Sequence, residues 1–240
     1  FSTLNESDLH RTLKIMYSEQ NSGITEVEKE GHIFDILTKE NEVIEIQTKN
    51  LSKLLPKLTD TLNKGYAVRL VHPIVITKQI KTYDEDQKLI SCRKSPVKGS
   101  IYSMFKELTG IYPILLESNF TLETIEINLI EERLKTNKEI QSINKRRRFK
   151  KDWIKTNKKL DEIITTRKFC SKTDYLKLLP ENLPEYFCAD DLSNCLKETK
   201  IYPASASKQS HVTIWVLAHM NLIELTEIKN RRKYYKIKNI

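Results

Sequence analysis

Two acidic side chains, Asp35 and Glu45, lie in adjacent apolar segments that are separated by a short polar turn. The segments predict an antiparallel hairpin, in which successive side chains alternate between the two faces of the sheet. Glu45 then shares one face with Gln47 and Lys49. Two carboxylates that face each other across a hairpin repel unless a cation lies between them. Because Mg²⁺ prefers carboxylate oxygen and keeps several waters, the pattern predicts a Mg²⁺ site.

Such a site suits the hydrolysis of a phosphodiester, which requires an ion to neutralise the phosphate oxygens and to lower the pKa of an attacking water. We predict that the ligands are Asp35, Glu45 and the main-chain carbonyl of Ile46. Lys49 would stabilise the developing negative charge or orient the water. Gln47 would only form hydrogen bonds, since an amide cannot act as a base.

Glu26 is a further candidate ligand, because it lies in a predicted strand that precedes the hairpin. Mn²⁺ is expected to replace Mg²⁺ at the same oxygen ligands. The alternative to a metal site is a strand that faces solvent. An Asp–Lys or Glu–Lys pair across that hairpin would contribute roughly a few tenths of a kcal/mol.

Helices and a buried strand surround the hairpin. A first helix is expected from Ser7 to about Ser18, with apolar residues at helical spacing. A second helix at 51–64 is followed by a nearly continuous apolar segment at 66–76, which is typical of a central strand. A strand, a helix and a buried strand in this order form a parallel crossover. The sequence therefore predicts an α/β fold with a mixed sheet flanked by helices.

The first domain is predicted to span residues 1–136. Its later part contains a hairpin at 78–93, a helix at 100–108 and one further strand at 122–129. In the last segment, apolar and polar residues alternate in the way that is typical of a half-buried strand.

The net charge of +9 is concentrated between residues 138 and 172, where thirteen Lys and Arg residues accompany four Asp and Glu residues. Aromatic residues are interleaved with this basic block, which is typical of segments that bind nucleic acid. We predict a basic helical connector over 137–171, with nucleic-acid contacts at Lys145, Arg146, Arg147, Arg148, Lys150 and Lys151. The alternatives are a solvated linker and an acidic membrane surface, which the lack of a clean apolar face disfavours.

Residues 172–240 predict a small winged helix-turn-helix domain, because three helices are followed by two strands. The longest of these helices would present Lys208 and Gln209, in its N-terminal turn, to the major groove of DNA. The basic turn between the strands carries Arg231 and Arg232, which would contact phosphate or the minor groove. Many modules of this shape bind protein instead.

The order of a helix, a strand with Asp35, a strand with Glu45-x-Gln47-x-Lys49, a helix and a strand resembles the core of the PD-(D/E)xK nuclease superfamily. The resemblance covers roughly residues 5–76 and implies a restriction-endonuclease-like mixed sheet with a metal-dependent nuclease site. The superfamily pattern has one acid, then acid-x-lysine on the next strand. If Glu45 and Gln47 are aligned with that pair, glutamine replaces the lysine. If Gln47 and Lys49 are aligned with it, glutamine replaces the second acid.

The chain also resembles an uncharacterised group of bacterial and archaeal proteins in which a nuclease-like domain precedes a small helical C-terminal unit. This similarity lies at residues 45–49 and 68–74 and in the run from Arg93 and Lys94 to Pro96. In this comparison Arg93 and Lys94 would contact phosphate, and the alternative is an ordinary basic turn. Superfamily members often act as dimers, so the resemblance implies a homodimer that cuts both strands of double-stranded DNA.

Cysteine spacing and hydropathy restrict the class of protein. The four cysteines include no CxxC pair and no closely spaced histidines, so we expect reduced thiols rather than a zinc site. No apolar segment reaches membrane-spanning length, and no signal-peptide pattern opens the sequence. We therefore expect a cytoplasmic protein without a membrane partner.

The residues and the resemblance together favour a Mg²⁺-dependent DNA endonuclease of the restriction or defence type, placed on DNA by a C-terminal winged helix. The alternative from a different class is a non-catalytic DNA-binding regulator or assembly subunit that retains a nuclease-like fold. A third hypothesis is an RNA-processing enzyme that uses the same site.

Overall fold

The computed structural model describes residues 7–141, 150–198 and 206–238 of the 240-residue chain. The helices in this part of the chain are α1 (Asp8–Gln20), α2 (Leu55–Asn63), α3 (Phe105–Leu108), α4 (Lys172–Leu176), α5 (Ala189–Glu198) and α6 (Ala206–His219). The strands are β1 (Ile24–Lys29), β2 (His32–Leu37), β3 (Glu42–Ile46), β4 (Ala67–Tyr83), β5 (Leu89–Lys94), β6 (Phe120–Ile140), β7 (Lys151–Phe169), β8 (Ile223–Lys229) and β9 (Arg232–Ile237). None of the described helices is both long and apolar enough to cross a membrane.

Seven strands form one mixed sheet: six follow the order β1-β2-β3-β4-β6-β7, and β5 pairs with β4 outside this order. Strands β8 and β9 pair in a separate hairpin. The pairs β1–β2, β2–β3 and β6–β7 are antiparallel, whereas β4 is parallel to both β3 and β6. Strand β5 pairs antiparallel with the far end of β4, beyond the point where β3 has ended. The predicted α/β class, with a mixed sheet flanked by helices, is confirmed.

Helix α2 connects the parallel strands β3 and β4, as the crossover pattern predicts. Its side chains Leu58 and Leu62 are buried against the sheet. Gly65 follows the helix with φ +84°, a conformation that residues with a side chain rarely adopt. The glycine therefore lets the chain turn from the end of α2 directly into β4.

Helix α1 covers one face of the sheet. It begins after Ser7, whose hydroxyl accepts a hydrogen bond from the main-chain N–H of His10. Its buried side chains Leu9, Leu13 and Tyr17 form a core cluster with strand residues that include Ile36, Ile44, Ile46, Val71, Ile125 and Leu129. This cluster fixes α1 across β2, β3, β4 and β6.

The opposite face is covered by α2, α3 and the C-terminal helices together. A single cluster of buried side chains includes Leu58 of α2, Leu122 of β6 and Leu217 of α6. Tyr102 donates a hydrogen bond to the main-chain carbonyl of Leu178, which joins the two parts of the chain again. The helices α4 to α6 and the β8–β9 hairpin thus share their core with the large sheet.

The segment predicted as a helical connector, residues 137–171, has a different structure. Its described part contains the end of β6 and the whole of β7, so the prediction of a helix there is wrong. Strand β6 also continues through the predicted boundary at residue 136. These two long strands pair with each other and extend past the rest of the sheet.

The shared core predicts that the chain unfolds cooperatively. We expect Leu122→Ala, in the sheet, to lower the free energy of unfolding by about 2–5 kcal/mol, because it leaves a cavity at a fully buried site. Urea unfolding should be followed both by far-UV circular dichroism and by the fluorescence of Trp215 in a Trp153→Phe background. Both midpoints are expected to move equally. A Trp215 transition that keeps its original midpoint would contradict the shared core.

Candidate functional site

The strands β2 and β3 separate at the position of the two predicted acids. Their pairing consists of Ile36 with Ile44 and Leu37 with Val43, and the next pair would be Asp35 with Glu45. At that point, hydrogen bonds from the main chain to the two carboxylates replace the main-chain hydrogen bonds between the strands. Glu45 Oε1 accepts a hydrogen bond of 3.2 Å from the N–H of Asp35, and Asp35 Oδ2 accepts one of 2.9 Å from the N–H of Ile46. Each carboxylate is therefore fixed to the main chain of the opposite strand.

Strand β2 also changes face at Asp35. Phe34 packs in the core below α2, whereas Ile36 packs in the core below α1, although residues two apart in a regular strand share a face. On the neighbouring strand Glu26 has φ +54°, and the pairs on either side of it place it opposite Asp35. This irregularity turns the Asp35 carboxylate towards α1, whereas Glu45 contacts α2.

Helix α1 brings two basic side chains to Asp35. His10 Nε2 lies 2.8 Å from the carbonyl oxygen of Ile46 and 3.4 Å from Asp35 Oδ2. One helical turn later, Lys14 Nζ lies 3.8 Å from Asp35 Oδ1 and 3.2 Å from Glu26 Oε1. Glu26, predicted as an extra ligand, is thus linked to Asp35 through Lys14.

Helix α2 supplies a lysine to Glu45 that the sequence patterns did not indicate. Lys57 Nζ lies 2.5 Å from Glu45 Oε1 and 2.5 Å from the carbonyl oxygen of Ile33. The ammonium also lies 5.2 Å from the centre of the Phe34 ring. The only sequence signal for Lys57 is its position next to Leu58, on the face of an amphipathic helix that must cover β3.

The two carboxyl groups have pKa values that are shifted in opposite directions. Burial, together with the neighbouring charge of Asp35, raises the pKa of Glu45 to about 7, although Lys57 opposes both effects. Burial also raises the pKa of Asp35, but the hydrogen bonds from His10 and Ile46 and the charge of Lys14 outweigh it, so the net pKa is lowered. At neutral pH Asp35 is therefore ionised, whereas Glu45 is protonated in part of the molecules.

Gln47 and Lys49 lie beyond the end of β3, so they do not share a strand face with Glu45. The main chain of Gln47 is held by two hydrogen bonds, from its N–H to the carbonyl of Val71 and from His72 Nδ1 to its own carbonyl. Burial lowers the pKa of His72, which keeps that ring neutral. Lys49 is exposed and lies near Lys158 of β7, whose pKa it lowers. The structure thus places Lys57, rather than Lys49, at the acid pair.

Three atoms beside α1 have the spacing of metal ligands. Adjacent ligands of an octahedral Mg²⁺ ion lie about 3 Å apart, because each lies about 2.1 Å from the ion. His10 Nε2, the Ile46 carbonyl oxygen and Asp35 Oδ2 are separated by 2.8 and 3.4 Å along two of their edges. The side chains of His10 and Asp35 are 20% and 21% exposed, so an ion can reach them from solvent.

Glu45 does not complete that group in the present arrangement. Among the residues that the structure describes, no three His, Cys, Asp or Glu side chains are grouped as metal ligands. The donor set consists of two side chains and a main-chain carbonyl, because Glu45 is held by Lys57 on the side of α2. Glu45 would join as a second carboxylate ligand only by exchanging that contact.

The residues predicted to contact nucleic acid lie in three regions. Arg93 and Lys94 are exposed on β5. Lys145, Arg146, Arg147 and Arg148 lie outside the described residues. Lys150 is exposed immediately before β7, and Lys151 Nζ lies 3.7 Å from the ring centre of Trp153. The remaining predicted contacts are in the C-terminal unit.

In the C-terminal unit, α6 does not present its whole N-terminal turn to solvent. Gln209 interacts with the hydroxyls of Ser100 and Ser103, so it faces the sheet domain instead of a DNA groove. Lys208 is exposed. Arg231 and Arg232, at the turn between β8 and β9, line a cleft of about 400 Å³ together with Trp215 of α6.

Comparisons with known proteins identify relatives but no activity. A family model described as a domain of unknown function (DUF8091) matches residues 7–170, which include all seven strands of the large sheet. An uncharacterized protein of Treponema pallidum (strain Nichols) is 31% identical over 192 residues, which are 80% of this chain and 73% of that protein. No solved structure matches the chain.

The raised pKa of Glu45 predicts a pH dependence of stability. As pH rises from the ordinary value of 4.5 to about 7, the unfolded chain loses this proton before the folded chain does, so the free energy of unfolding falls. Glu45→Gln is expected to remove that fall. The measurement is urea denaturation in EDTA at several pH values across this range.

A matched control is Glu40→Gln, at an exposed carboxylate in the turn between β2 and β3. It should leave the pH dependence of the wild-type protein unchanged. A stability difference between wild type and Glu45→Gln that is constant with pH would contradict the raised pKa.

Proposed function

The chain belongs to the family described as a domain of unknown function (DUF8091), and we propose that its site is that of a Mg²⁺-dependent endonuclease acting on double-stranded DNA. The observation that carries the proposal is the group formed by Asp35 Oδ2, the Ile46 carbonyl and His10 Nε2. These donors have the spacing of adjacent metal ligands, and the side chains of His10 and Asp35 are partly exposed to solvent.

The topology supports the resemblance to the PD-(D/E)xK superfamily. An antiparallel hairpin carries Asp35 and Glu45 on adjacent strands, and the second of these strands connects through α2 to a parallel neighbour. Both acids lie where β2 and β3 separate, with Asp35 facing α1 and Glu45 facing α2. The proposal therefore includes a restriction-endonuclease-like fold.

The residues at the gap divide into ligands and charge-stabilising groups. Asp35, the Ile46 carbonyl and His10 would hold Mg²⁺, and Glu45 would be the second carboxylate. A bound ion would neutralise charge at the phosphate and lower the pKa of an attacking water. The contact of His10 Nε2 with the Ile46 carbonyl requires an N–H at Nε2. To offer Nε2 as a ligand instead, His10 would have to carry its proton on Nδ1.

Lys57 takes the role that the spacing of residues assigned to Lys49 or Gln47. Its ammonium lies 2.5 Å from Glu45 Oε1. Once Glu45 exchanges this contact for the ion, the ammonium would be free to stabilise negative charge that develops on the phosphate. In the proposed reaction a water oxygen attacks phosphorus and the bond to the leaving sugar oxygen breaks. The products are a phosphate monoester and a hydroxyl.

The C-terminal unit is proposed to place the enzyme on DNA as a winged helix. The order of α4, α5, α6 and the β8–β9 hairpin supports that assignment. The candidate DNA-contacting residues are Lys208 at the start of α6 and Arg231 and Arg232 on the hairpin turn, whereas Gln209 is engaged with the sheet domain. Arg231 has φ +63°, an uncommon conformation for a long side chain. A restriction or defence role, with two chains cutting two strands, remains part of this proposal.

One observation favours the alternative of a non-catalytic DNA-binding protein. Asp35 lies beside His10 and Lys14, and Glu45 lies beside Lys57, so positive charges from the chain already compensate both acids. A cluster of that kind is stable without an ion and would join α1 and α2 to the sheet. Cleavage and metal binding distinguish the two functions.

Cleavage of plasmid DNA in Mg²⁺ tests the proposed activity. Asp35→Asn and Lys57→Gln are each expected to reduce the rate at least about 100-fold, because they remove a ligand and a charge-stabilising group. Binding of the same DNA in EDTA should persist. Glu28→Gln, at an exposed acid on β1, is the matched control and should cut normally. Wild-type protein that binds DNA but does not cut it in Mg²⁺ or Mn²⁺ would leave only the regulator.

Metal binding is measured separately, by isothermal titration with Mn²⁺ in the absence of DNA. We expect the affinity to rise as pH increases towards about 7, because Glu45 must lose its proton to join the site. Glu45→Gln should remove much of this pH dependence, and Asp35→Asn should abolish binding. Equal Mn²⁺ affinity in wild type and Asp35→Asn would place the ion elsewhere.

A further inference from the structure

Beyond the end of β3, the strands β4, β6 and β7 continue together as an arm. Residues 77–83 of β4 pair with residues 128–134 of β6, and β7 pairs along the other side of β6. Leu129 belongs to the core cluster below α1, and residues 131 and 133 follow it at intervals of two. These positions therefore continue the α1 face of the sheet out along the arm.

The continued face carries an excess of positive charge around one carboxylate. Glu131 is buried, and its carboxylate oxygens lie 3.1 Å from Lys78 Nζ, 2.7 Å from Lys155 Nζ and 2.5 Å from Arg133. Lys158 lies opposite Glu131 in the pairing of β6 with β7. We call the group of basic side chains formed by Lys49, Lys78, Arg133, Lys155 and Lys158 the cationic face.

Mutual repulsion between the lysines of the cationic face contributes to a lowered pKa of Lys158. Burial, together with the charges of Lys49, Lys155 and Lys78, lowers the pKa of Lys158 to about 8. Glu131 opposes this shift without cancelling it. An arrangement that forces cations together, with one carboxylate among them, becomes more stable when an anion binds.

Two contacts connect the cationic face to the acid pair. Asp8, at the start of α1, accepts a hydrogen bond of 2.5 Å from the side chain of Asn157, the neighbour of Lys158 on β7. His10, two residues further along α1, contacts the Ile46 carbonyl. Lys49 follows Ile46 by three residues. The cationic face therefore begins where the proposed metal site ends.

We propose that the cationic face binds the phosphate backbone of duplex DNA, along the stretch that leaves the proposed cleavage site in the direction of the arm. This inference rests on the proposed function and names the surface that holds the substrate beside the cut. A DNA strand presents one negative charge about every 3.4 Å along the helix axis, so a strand that follows the arm meets several of these side chains in succession. The buried guanidinium of Arg133 lies between Glu131 and Trp153, 3.5 Å from the ring centre, and fixes the cationic face from within.

The test measures binding of a short duplex in EDTA over a range of salt concentrations, so that cleavage does not enter the result. Lys158→Gln and Lys49→Gln are each expected to weaken binding and to reduce the slope of log affinity against log salt by about one unit. The matched control is Lys159→Gln, because Lys159 neighbours Lys158 but pairs with Glu132. Circular dichroism confirms that each variant is folded.

A second readout is independent of any variant. Acetylation of amines near pH 8, quantified by mass spectrometry of peptides, should modify Lys158 readily in the free protein, because its pKa of about 8 leaves much of the amine unprotonated. Duplex DNA is expected to protect Lys158 and to leave unchanged the slower labelling of Lys159, whose pKa is raised by Glu132.

Salt slopes for Lys158→Gln and Lys49→Gln that equal the slope for Lys159→Gln would overturn the inference, as would equal labelling of Lys158 with and without DNA. Tighter, equally lysine-dependent binding of an RNA duplex would overturn the assignment to DNA. Cleavage with lysine-independent binding removes this inference but keeps the proposed function. Lysine-dependent binding without cleavage keeps the binding surface but removes the proposed nuclease activity.

Discussion

The exchange of hydrogen bonds between Asp35 and Glu45 is the constraint on which the rest of the site depends. Where β2 and β3 separate, the main-chain N–H groups of Asp35 and Ile46 would lose their partners, and a buried unpaired N–H is costly. The two carboxylates accept these hydrogen bonds instead. The acid pair therefore satisfies the main-chain N–H groups that are left where β2 and β3 separate. The Ile46 carbonyl at this point lies next to His10.

Burying Glu45 has a consequence for the helices on both faces. A carboxylate in such a position requires nearby positive charge or a raised pKa, and both are present here. Lys57 comes from α2 on one face, and His10 and Lys14 come from α1 on the other. The core clusters that hold α1 and α2 against the sheet therefore also determine the electrostatics of the gap. A displacement of either helix changes the charge balance at the acids.

The sequence predicted the centre of the fold better than its periphery. The hairpin with Asp35 and Glu45, the crossover through α2 and the apolar strand β4 have strong periodicity or long apolar runs, because both faces of this region are buried. Lys57 could not be predicted, since its contact depends on how α2 is rotated over β3. The placement of Gln47 and Lys49 was missed because β3 ends at Ile46, and alternation in the sequence continues for three more residues.

Strand β7 and the part of β6 beyond residue 129 were missed for a different reason. Most of β7 is exposed on both faces, so its side chains are largely polar and the alternation that normally identifies a strand is absent. Only its pairing with β6 makes it a strand, and that pairing places Lys155 and Lys158 beside Glu131. The charge of the basic block was visible in the sequence, but its position on the same face as α1 was a property of the folded sheet.

The most direct test of this account is anomalous diffraction from a crystal soaked in Mn²⁺. The account requires a peak in contact with an Asp35 carboxylate oxygen and the Ile46 carbonyl oxygen, with His10 beside it. An empty gap after soaking, with Lys14 still on Asp35 and Lys57 still on Glu45, would mean that the acids serve only to hold the strands and helices together.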